Sequence, residues 1–333
     1  MGEKARKARR ELAANLAASF STGVTIIAFT NPVDTLKCRW QVAPRQAQGL
    51  GGAVWRILAE EGLWTGLWRP GLGPNMLAMG CAIGCRNGFY PLVRDTLGSL
   101  QELAGASPGA GGKVGPAGMF ASGLLAGMCG YFIASPLLQV KTQMQVEAGR
   151  LGADGRYETG LRAGERPSYR NAWHALRSLA SGPSGGGGPL SGARVLWRGA
   201  GVIVGRGAVL SASQLAAYDA TKTELRARGL VGEGPALHVA ASMVAAVCCT
   251  TCSMPLDVVL TVYQSAYSLG GDRASVYGLG GPLACARAML RESGPGVFMR
   301  GWVPAFARLA PTCVASFFLY EQLRKLVGIG FLD

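Results

Sequence analysis

Charged residues are scarce in this chain. Asp, Glu, Lys and Arg make up 16% of the 333 residues, whereas a typical soluble domain carries about 25%. Hydrophobic residues account for 49% of the chain, and the mean hydropathy is +0.23. Because so few side chains are suited to water, the composition disfavours a soluble protein and favours helices embedded in lipid.

Histidine is nearly absent, and the cysteines are scattered. The two histidines, His174 and His238, lie far apart, and the Cys249–Cys252 pair has no second Cys or His pair at metal-ligand spacing. We therefore expect no metal and no cofactor. The sequence shows no nucleophile–base pair, and the glycines at Gly71–Gly73 and Gly201–Gly207 do not follow a strand, so an enzyme is disfavoured.

Acidic residues are outnumbered by basic ones, 19 to 33, which gives a formal net charge of +14. Such a surplus suits nucleic acid, anionic lipid or a small anionic substrate. The basic residues lie between and within apolar segments, whereas a nucleic-acid-binding domain gathers them on one polar face. We therefore expect no nucleic-acid partner and retain the lipid and the small anion.

One pattern occurs three times along the chain. A proline-headed motif begins at Pro32, Pro136 and Pro255, and a Gln follows nine residues later in each copy, at Gln41, Gln145 and Gln264. Two further elements follow in the same order in each copy, at Leu67–Arg69, Leu196–Gly199 and Phe298–Gly301 and then at Tyr90–Arg94, Tyr218–Lys222 and Tyr320–Arg324. Recurrence of three elements in one order indicates an internal repeat.

Each repeat contains two apolar segments long enough to cross a bilayer, which takes about 20 residues. They are predicted at 12–40, 72–100, 115–146, 200–228, 236–265 and 303–327. The fold class predicted is an all-α membrane protein with six transmembrane helices in three pseudo-threefold repeats, 12–101, 115–229 and 236–327. A basic segment, 1–11, precedes them, and a tail, 328–333, follows. The prolines Pro32, Pro136 and Pro255 are expected to kink the first helix of each repeat.

Polar, partly amphipathic stretches lie between the two spans of each repeat. Tyr169–Ala180 and Leu283–Glu292 are predicted to be short helices at the membrane surface. The second repeat is extended here, at about 147–168 and 181–190, and Gly149–Gly164 and Ser181–Gly188 are expected to be flexible. These segments hold more Lys and Arg than the connectors between repeats, which places them inside and both termini outside.

The repeated Pro motif resembles the signature of the mitochondrial carrier family over about 12–327. It is complete as Pro-x-Asp-x-x-Lys at Pro32, keeps only the base at Pro136 and only the acid at Pro255, and is followed in each repeat by the later Arg element. The resemblance implies a six-helix bundle of the inner mitochondrial membrane that exchanges small anionic metabolites by alternating access. It also implies a monomer with cardiolipin at the inner-side helix termini. Four stretches are similar to the oxaloacetate/sulfate and dicarboxylate branch: Arg86–Tyr90, Ser135–Thr142, Arg308–Pro311 and Phe317–Leu326.

Two departures from the family pattern concern the inner side. Pro70 stands where the family has Gly, and the acid–Gly pair expected before Leu196 is missing.

The resemblance implies an inner gate in which the acid of each repeat pairs with the base of the next. The implied pairs are Asp34 with Lys141, Asp257 with Lys37, and Leu138 with Leu260. Because acid and base are lost together in the third pair, no buried charge is left without a partner. Gln41, Gln145 and Gln264 resemble the residues that brace such pairs by hydrogen bonds.

An outer gate is implied by the Tyr-headed elements that begin at Tyr90, Tyr218 and Tyr320. The implied pairs are Asp219 with Arg324 and Glu321 with Arg94. Pro91 replaces the acid of the first repeat, so Lys222 has no partner in this scheme. Exposed ion pairs contribute only about 0–1 kcal/mol each, so such pairs would act as weak latches.

Arginines inside apolar helices indicate the substrate. Arg206 and Arg308 each lie thirteen residues before the acid of the Tyr-headed element, and Ala78 is the first-repeat equivalent. An Arg at the bilayer centre costs at least about 2.5 kcal/mol unless it faces water or a partner. Few acids lie near them in sequence, so we predict a water-filled cavity with surplus positive charge.

A third arginine, Arg86, breaks the threefold symmetry, because its repeat equivalents are Gln214 and Ser316. Guanidinium groups bind carboxylate or sulfate through paired hydrogen bonds, so this asymmetry suits a small dianion of uneven shape. Gly207 follows Arg206 where the resemblance implies a small polar residue in oxo-acid carriers.

The leading hypothesis is an exchanger of small dianions, namely oxaloacetate or related dicarboxylates and oxo acids, sulfate or thiosulfate. In it Arg206 and Arg308 hold the anion while Arg86 steers it inward. Two alternatives remain open: an uncoupling-type proton or anion conductance, and a carrier-shaped scaffold that has lost transport.

Overall fold

The computed structural model describes residues 2–43, 49–103, 116–181, 189–228, 235–269 and 280–309, and most of these residues are helical. The helices are α1 (Gly2–Val42), α2 (Leu50–Glu60), α3 (Leu72–Leu103), α4 (Pro116–Val146), α5 (Ala172–Ser181), α6 (Pro189–Leu196), α7 (Ala200–Ala227), α8 (Pro235–Leu269) and α9 (Gly281–Ser293). Helix α10 begins at residue 302 and is described as far as 309. A π-helical turn, Trp64–Trp68, and a 3-10 turn, Pro295–Met299, precede α3 and α10.

The five long helices that are described in full coincide with the predicted spans to within a few residues, except at the beginning of the chain. The sixth span, predicted at 303–327, begins at 302, and the part beyond 309 lies outside the described residues. Helix α1 begins at Gly2, whereas the prediction began the span at 12. The basic segment 1–11 therefore continues the first helix from Gly2 onward, because its Lys, Arg, Glu and Ala residues are good helix formers and no proline separates it. Within the described residues, four stretches are long and apolar enough to cross a membrane: Asn15–Val42, Gly118–Val146, Arg194–Ala227 and Ala240–Ala266.

The three motif prolines lie inside continuous helices. Pro32 is in α1, Pro136 in α4 and Pro255 in α8. Each removes one backbone hydrogen bond from its helix, and the bend expected at each position stays a prediction.

The short helices α5 and α9 occupy the two stretches predicted to be amphipathic. On α5, Ala175 and Leu179 are buried while Trp173 is 63% exposed. On α9, Cys285 and Met289 are buried while Leu283 is 74% exposed. Each helix thus has one face in the core and a large apolar side chain outside it, as expected of a helix that lies at a lipid surface.

The chain forms two compact units. Within the described part of the chain, the first comprises residues 2–28, 76–103 and 116–135. Its helices approach each other through glycine: a Cβ at Gly23 would lie 2.8 Å from the carbonyl oxygen of Met79, and one at Gly130 would lie 2.5 Å from that of Ala82. Only a residue without a side chain permits such backbone contact, which explains glycines that would weaken a helix in water.

The second unit comprises Phe29–Asn75 and Pro136–Cys313. Its core contains a cluster of buried side chains that we call the main cluster: Cys38, Val42, Val146, Met254, Val258, Val259, Val262, Cys285, Met289 and Ala305. The main cluster draws on the C-terminal turns of α1, α4 and α8 and on α9 and α10, so it fixes the helix ends that carry the Pro motifs.

The segment after α4 corrects one prediction. Instead of a flexible stretch, Gly149–Gly164 forms a compact hairpin in which the Gly152 amide donates to the Arg156 carbonyl and the Glu158 amide to the Arg150 carbonyl, both at 2.8 Å. The prediction was wrong because low apolar content was read as flexibility, although polar chain can be ordered by its own hydrogen bonds. Most of the second stretch expected to be flexible, 182–188, lies outside the described residues.

Candidate functional site

Four charged side chains of the Pro motifs form two buried ion pairs in the second unit. Lys141 Nζ lies 2.7 Å from Asp34 Oδ2, and Lys37 forms a salt bridge with Asp257. The side chains are between 6% and 11% exposed. Asp34 and Lys37 are three residues apart and so lie on the same side of α1, where Asp34 contacts Lys141 of α4 and Lys37 contacts Asp257 of α8. The structure thus brings together the two charged pairs that the resemblance implies.

Both arginines expected to bind substrate contact the same carboxylates. Arg206 Nη1 lies 3.4 Å from Asp257 Oδ1, and Arg308 Nε lies 3.4 Å from Asp34 Oδ1. Each carboxylate therefore lies between a lysine and an arginine. Sequence reasoning found few acids near the arginines because these acids are distant along the chain and come close only in the fold.

These six side chains, which we call the charge cluster, carry a surplus of positive charge. Two lysines and two arginines face two carboxylates, so four positive charges against two negative ones leave a formal charge of +2. Arg206 Nε is buried and has no hydrogen-bond partner among the described residues. The charge cluster therefore has both the charge and a spare donor with which to bind an anion.

A buried amide network adjoins the charge cluster, and sequence reasoning missed it. Asn75 Nδ2 lies 2.8 Å from Asn31 Oδ1 and 3.1 Å from Asp34 Oδ2, and both asparagines are at most 1% exposed. Asn31 Nδ2 donates to the carbonyl of Trp68 at 2.6 Å. The network ties α1 to the chain that enters α3, and it holds the Asp34 carboxylate in place. The sequence did offer two signals for this network: Asn31 stands beside Pro32, and Asn75 stands early in an apolar helix.

The three glutamines have different partners. Gln41 Nε2 lies 3.2 Å from Asp257 Oδ2, so it does brace an ion pair. Gln145 donates to Asn31 and Thr35 rather than to the Asp34–Lys141 pair. Gln264 accepts a hydrogen bond from Thr142 and donates to the Arg198 carbonyl. The bracing role implied by the resemblance therefore fits Gln41, whereas Gln145 and Gln264 bind polar groups of the neighbouring repeat.

The apolar substitutes for the third pair are both half-buried. Leu260 lies against Gly199, where a Cβ would come 2.9 Å from Leu260 Cδ1. Contact between Leu138 and Leu260 stays a prediction.

The charged residues of the Tyr-headed elements are placed differently. Arg94 pairs with its neighbour Asp95 at 3.0 Å, and both side chains are exposed, at 44% and 69%. Asp219 is exposed, and Lys222 Nζ lies 6.0 Å from the ring centroid of Tyr218. The implied pairs of Asp219 with Arg324 and of Glu321 with Arg94 stay predictions, because Glu321 and Arg324 lie outside the described part of the chain. Two other residues expected at functional positions, Ser316 and Tyr320, also lie outside it.

The remaining residues expected near the substrate have mixed surroundings. Arg86 and Gln214 are exposed, whereas Ala78 is fully buried. A Cβ added at Gly207 would meet nothing within 4 Å, so open space adjoins the backbone next to Arg206.

Comparison with known proteins decides the family. The family profile described as mitochondrial carrier protein matches residues 8–100, 112–229 and 232–330, one match for each repeat. The chain belongs to the mitochondrial carrier family. The predicted fold class is thereby confirmed: six transmembrane helices in three repeats. Members of this family are transporters, not enzymes.

Several carriers are similar over nearly the whole chain. The mitochondrial 2-oxoglutarate/malate carrier protein of Mus musculus is 29% identical over 316 residues, covering 93% of this chain and 90% of the relative. The mitochondrial brown fat uncoupling protein 1 of Dicrostonyx groenlandicus is 28% identical and covers 92% and 91%. The dicarboxylate carrier UCP2 of Danio rerio is 28% identical and covers 89% and 86%.

Proposed function

We propose that this carrier exchanges small dianions across the inner mitochondrial membrane by alternating access. The substrate class is oxaloacetate or related dicarboxylates and oxo acids, with sulfate or thiosulfate as the inorganic members. The observation that carries the proposal is the formal charge of +2 in the buried charge cluster, which one dianion would neutralise. The names of two relatives, a 2-oxoglutarate/malate carrier and a dicarboxylate carrier, support the same substrate class.

Binding and opening are coupled in this proposal through Arg206 and Arg308. Each arginine contacts a carboxylate that also holds a lysine, at Asp257 and Asp34. A dianion that binds the two guanidinium groups competes with these carboxylates for them. Because each carboxylate then loses one of its two cations, the ion pairs that close the inner gate become easier to separate.

The remaining roles follow from the same scheme. Asp34, Lys37, Lys141 and Asp257 close the inner gate, with Leu138 and Leu260 as its apolar third side. Arg94, Asp219 and Lys222 belong to the outer gate, and Arg86 steers the anion inward. Both termini face the intermembrane space, because the intra-repeat segments carry the excess of Lys and Arg. A monomer with cardiolipin at its inner-side helix termini completes the proposal, and the exposed apolar side chains of α5 and α9 support contact with lipid.

The test is uptake of radiolabelled malonate and sulfate into liposomes that contain the purified protein, with and without an internal dianion. We expect uptake that requires the internal dianion and that falls at least tenfold in Arg206→Ala and in Arg308→Ala. The matched control is Arg228→Ala, because Arg228 is an exposed arginine that ends α7 and pairs with Glu224. That variant should transport at the wild-type rate.

Two results would overturn the proposal. Proton or anion conductance without exchange would favour the uncoupling-type alternative. A folded preparation, verified by circular dichroism, that takes up neither anion under any internal loading would favour the scaffold.

A further inference from the structure

Two of the three junctions between successive repeats contain an arginine stacked on an aromatic ring. At the junction of the second and third repeats, the Arg198 guanidinium lies 3.7 Å from the ring centroid of Tyr263, and its Nε donates to the Tyr263 carbonyl at 2.9 Å. At the junction of the third and first repeats, Arg300 lies 4.9 Å from the Trp40 ring and donates to the Ala43 carbonyl at 2.6 Å. An arginine of one repeat thus stacks on an aromatic ring of the next.

The junction of the first and second repeats lacks the aromatic ring for this contact. Trp40 and Tyr263 each lie eight residues after their motif proline, and Met144 holds that position in the second repeat. The corresponding arginine, Arg69, is exposed. The repeated sequence therefore leaves this junction without the arginine–aromatic stack that the other two have.

The hairpin that follows α4 contacts the first repeat at this junction. Thr159 Oγ1 donates to Glu61 Oε1 at 2.9 Å, and Glu61 is itself held by Arg39 through two hydrogen bonds of 2.5 and 2.7 Å. The Arg39 and Glu61 side chains are 7% and 2% exposed. Two residues further on, Leu161 packs against the main cluster. One polar and one apolar contact therefore join the hairpin to the inner ends of the helices.

Ion pairs and close backbone contacts order the hairpin internally. Arg162 bridges Glu147 and Glu165, both at 2.5 Å, and closes the base of the hairpin onto the end of α4. A Cβ at Gly149 would lie 2.3 Å from the Thr159 carbonyl oxygen, and Gly160 has a φ of +90°, so the two chains approach as only glycine allows. Burial raises the pKa of the Glu147 carboxyl, while Ser168 and Arg162 offset part of that effect.

We propose that the hairpin, Gly149–Gly164, is a latch that holds the inner side closed at the junction of the first and second repeats. This inference rests on the proposed alternating access. Opening of the inner side parts these repeats, so the Thr159–Glu61 hydrogen bond breaks and Leu161 leaves the main cluster. The latch therefore stabilises the closed inner side at the junction where the arginine–aromatic stack is missing.

The test measures how often the inner side opens, without any substrate. Cys38 belongs to the main cluster, is 3% exposed and lies beside Lys37, so its alkylation by N-ethylmaleimide reports separation of the cluster. Cys249 is fully buried on α8 outside the main cluster, so its alkylation reports general unfolding. Both rates can be read from the same sample by peptide mass spectrometry.

The variants are Thr159→Val, Leu161→Ala and their combination, with Leu151→Ala as the matched control. Leu151 lies in the same hairpin but is 52% exposed. We expect Cys38 to react at least fivefold faster in the double variant, with Cys249 unchanged and with Leu151→Ala at the wild-type rate. Equal Cys38 rates in the double variant and the wild type would overturn the latch.

A parallel rise of the Cys38 and Cys249 rates would also overturn it, because the hairpin would then contribute only general stability. Since no transport is measured, the result does not depend on the identity of the substrate. A failure of dianion exchange in liposomes is therefore distinguishable from a failure of the latch.

Discussion

The charged residues of the Pro motifs and two of those in the Tyr-headed elements have opposite environments. Asp34, Lys37, Lys141 and Asp257 are buried and paired, whereas Arg94 and Asp219 are exposed. Buried charges need partners because water cannot solvate them, and exposed charges do not. In the alternating access that we propose, one gate is closed while the other is open, and the buried pairs of the Pro motifs fit a state in which the proposed inner gate is closed.

The largest effect is expected where a buried carboxylate is removed. Asp257→Leu leaves both Lys37 and Arg206 without their carboxylate, whereas Lys37→Leu leaves Asp257 in contact with Arg206. Loss of one partner of a buried pair costs about 3–5 kcal/mol. We therefore expect the acid variant to unfold at a clearly lower temperature than the lysine variant, as measured by circular dichroism of the purified protein in detergent.

The double variant Lys37→Leu/Asp257→Leu sharpens this test, because it places leucine at both positions, as the chain has at the equivalent positions Leu138 and Leu260. It should recover a large part of the stability that Asp257→Leu loses, since an apolar pair leaves less uncompensated charge. Equal unfolding temperatures for the two single variants would show that Arg206 does not share the carboxylate.

An intermediate effect is expected in the amide network. Asn75→Ala removes two buried hydrogen bonds, to Asn31 and Asp34, each worth about 0.5–1.5 kcal/mol, while Gln145 and Lys141 still contact these acceptors. The matched control is Asn87→Ala, which removes one hydrogen bond, to the Ser19 hydroxyl, at a part-buried position. Thermal unfolding should rank Asn75→Ala below Asn87→Ala, and the reverse order would contradict the role of Asn75 in holding Asp34.

The smallest effect is expected at the exposed charges. Arg94→Gln and Asp219→Asn should each change the free energy of unfolding by no more than about 1 kcal/mol, because solvent already screens these groups. Their unfolding temperatures should stay close to that of the wild type. A loss comparable to that of Lys37→Leu would show that these residues are buried and paired in the state that is measured.

Repetition made much of the fold predictable. The repeated Pro motif helped to locate the helices. The resemblance to the mitochondrial carriers implied the charge pairs, and the joint loss of acid and base at Leu138 and Leu260 supported them. Position within a repeat also selected Arg206 and Arg308. These features could be found because they depend on equivalent positions in the three repeats, and those positions can be read from the sequence.

The features that were missed depend on contacts between distant segments. The pairing of Arg206 with Asp257 joins α7 to α8, and Asn31 with Asn75 joins α1 to α3. The hairpin at Gly149–Gly164 was expected to be flexible because its composition is polar and rich in glycine. Composition does not show whether such a segment finds partners, and here Thr159 and Arg162 do.

The sequence by itself determined the three repeats, the six apolar segments, the excess of positive charge and the residues that carry it. These are properties of residue type and spacing, and an apolar segment of about 20 residues is long enough to predict a transmembrane helix. Only the tertiary structure decided that the Asp34 and Asp257 carboxylates are each shared between a lysine and an arginine, and that the hairpin contacts Glu61. Both depend on geometry between segments far apart in the chain, where differences of an ångström decide whether two charged groups meet.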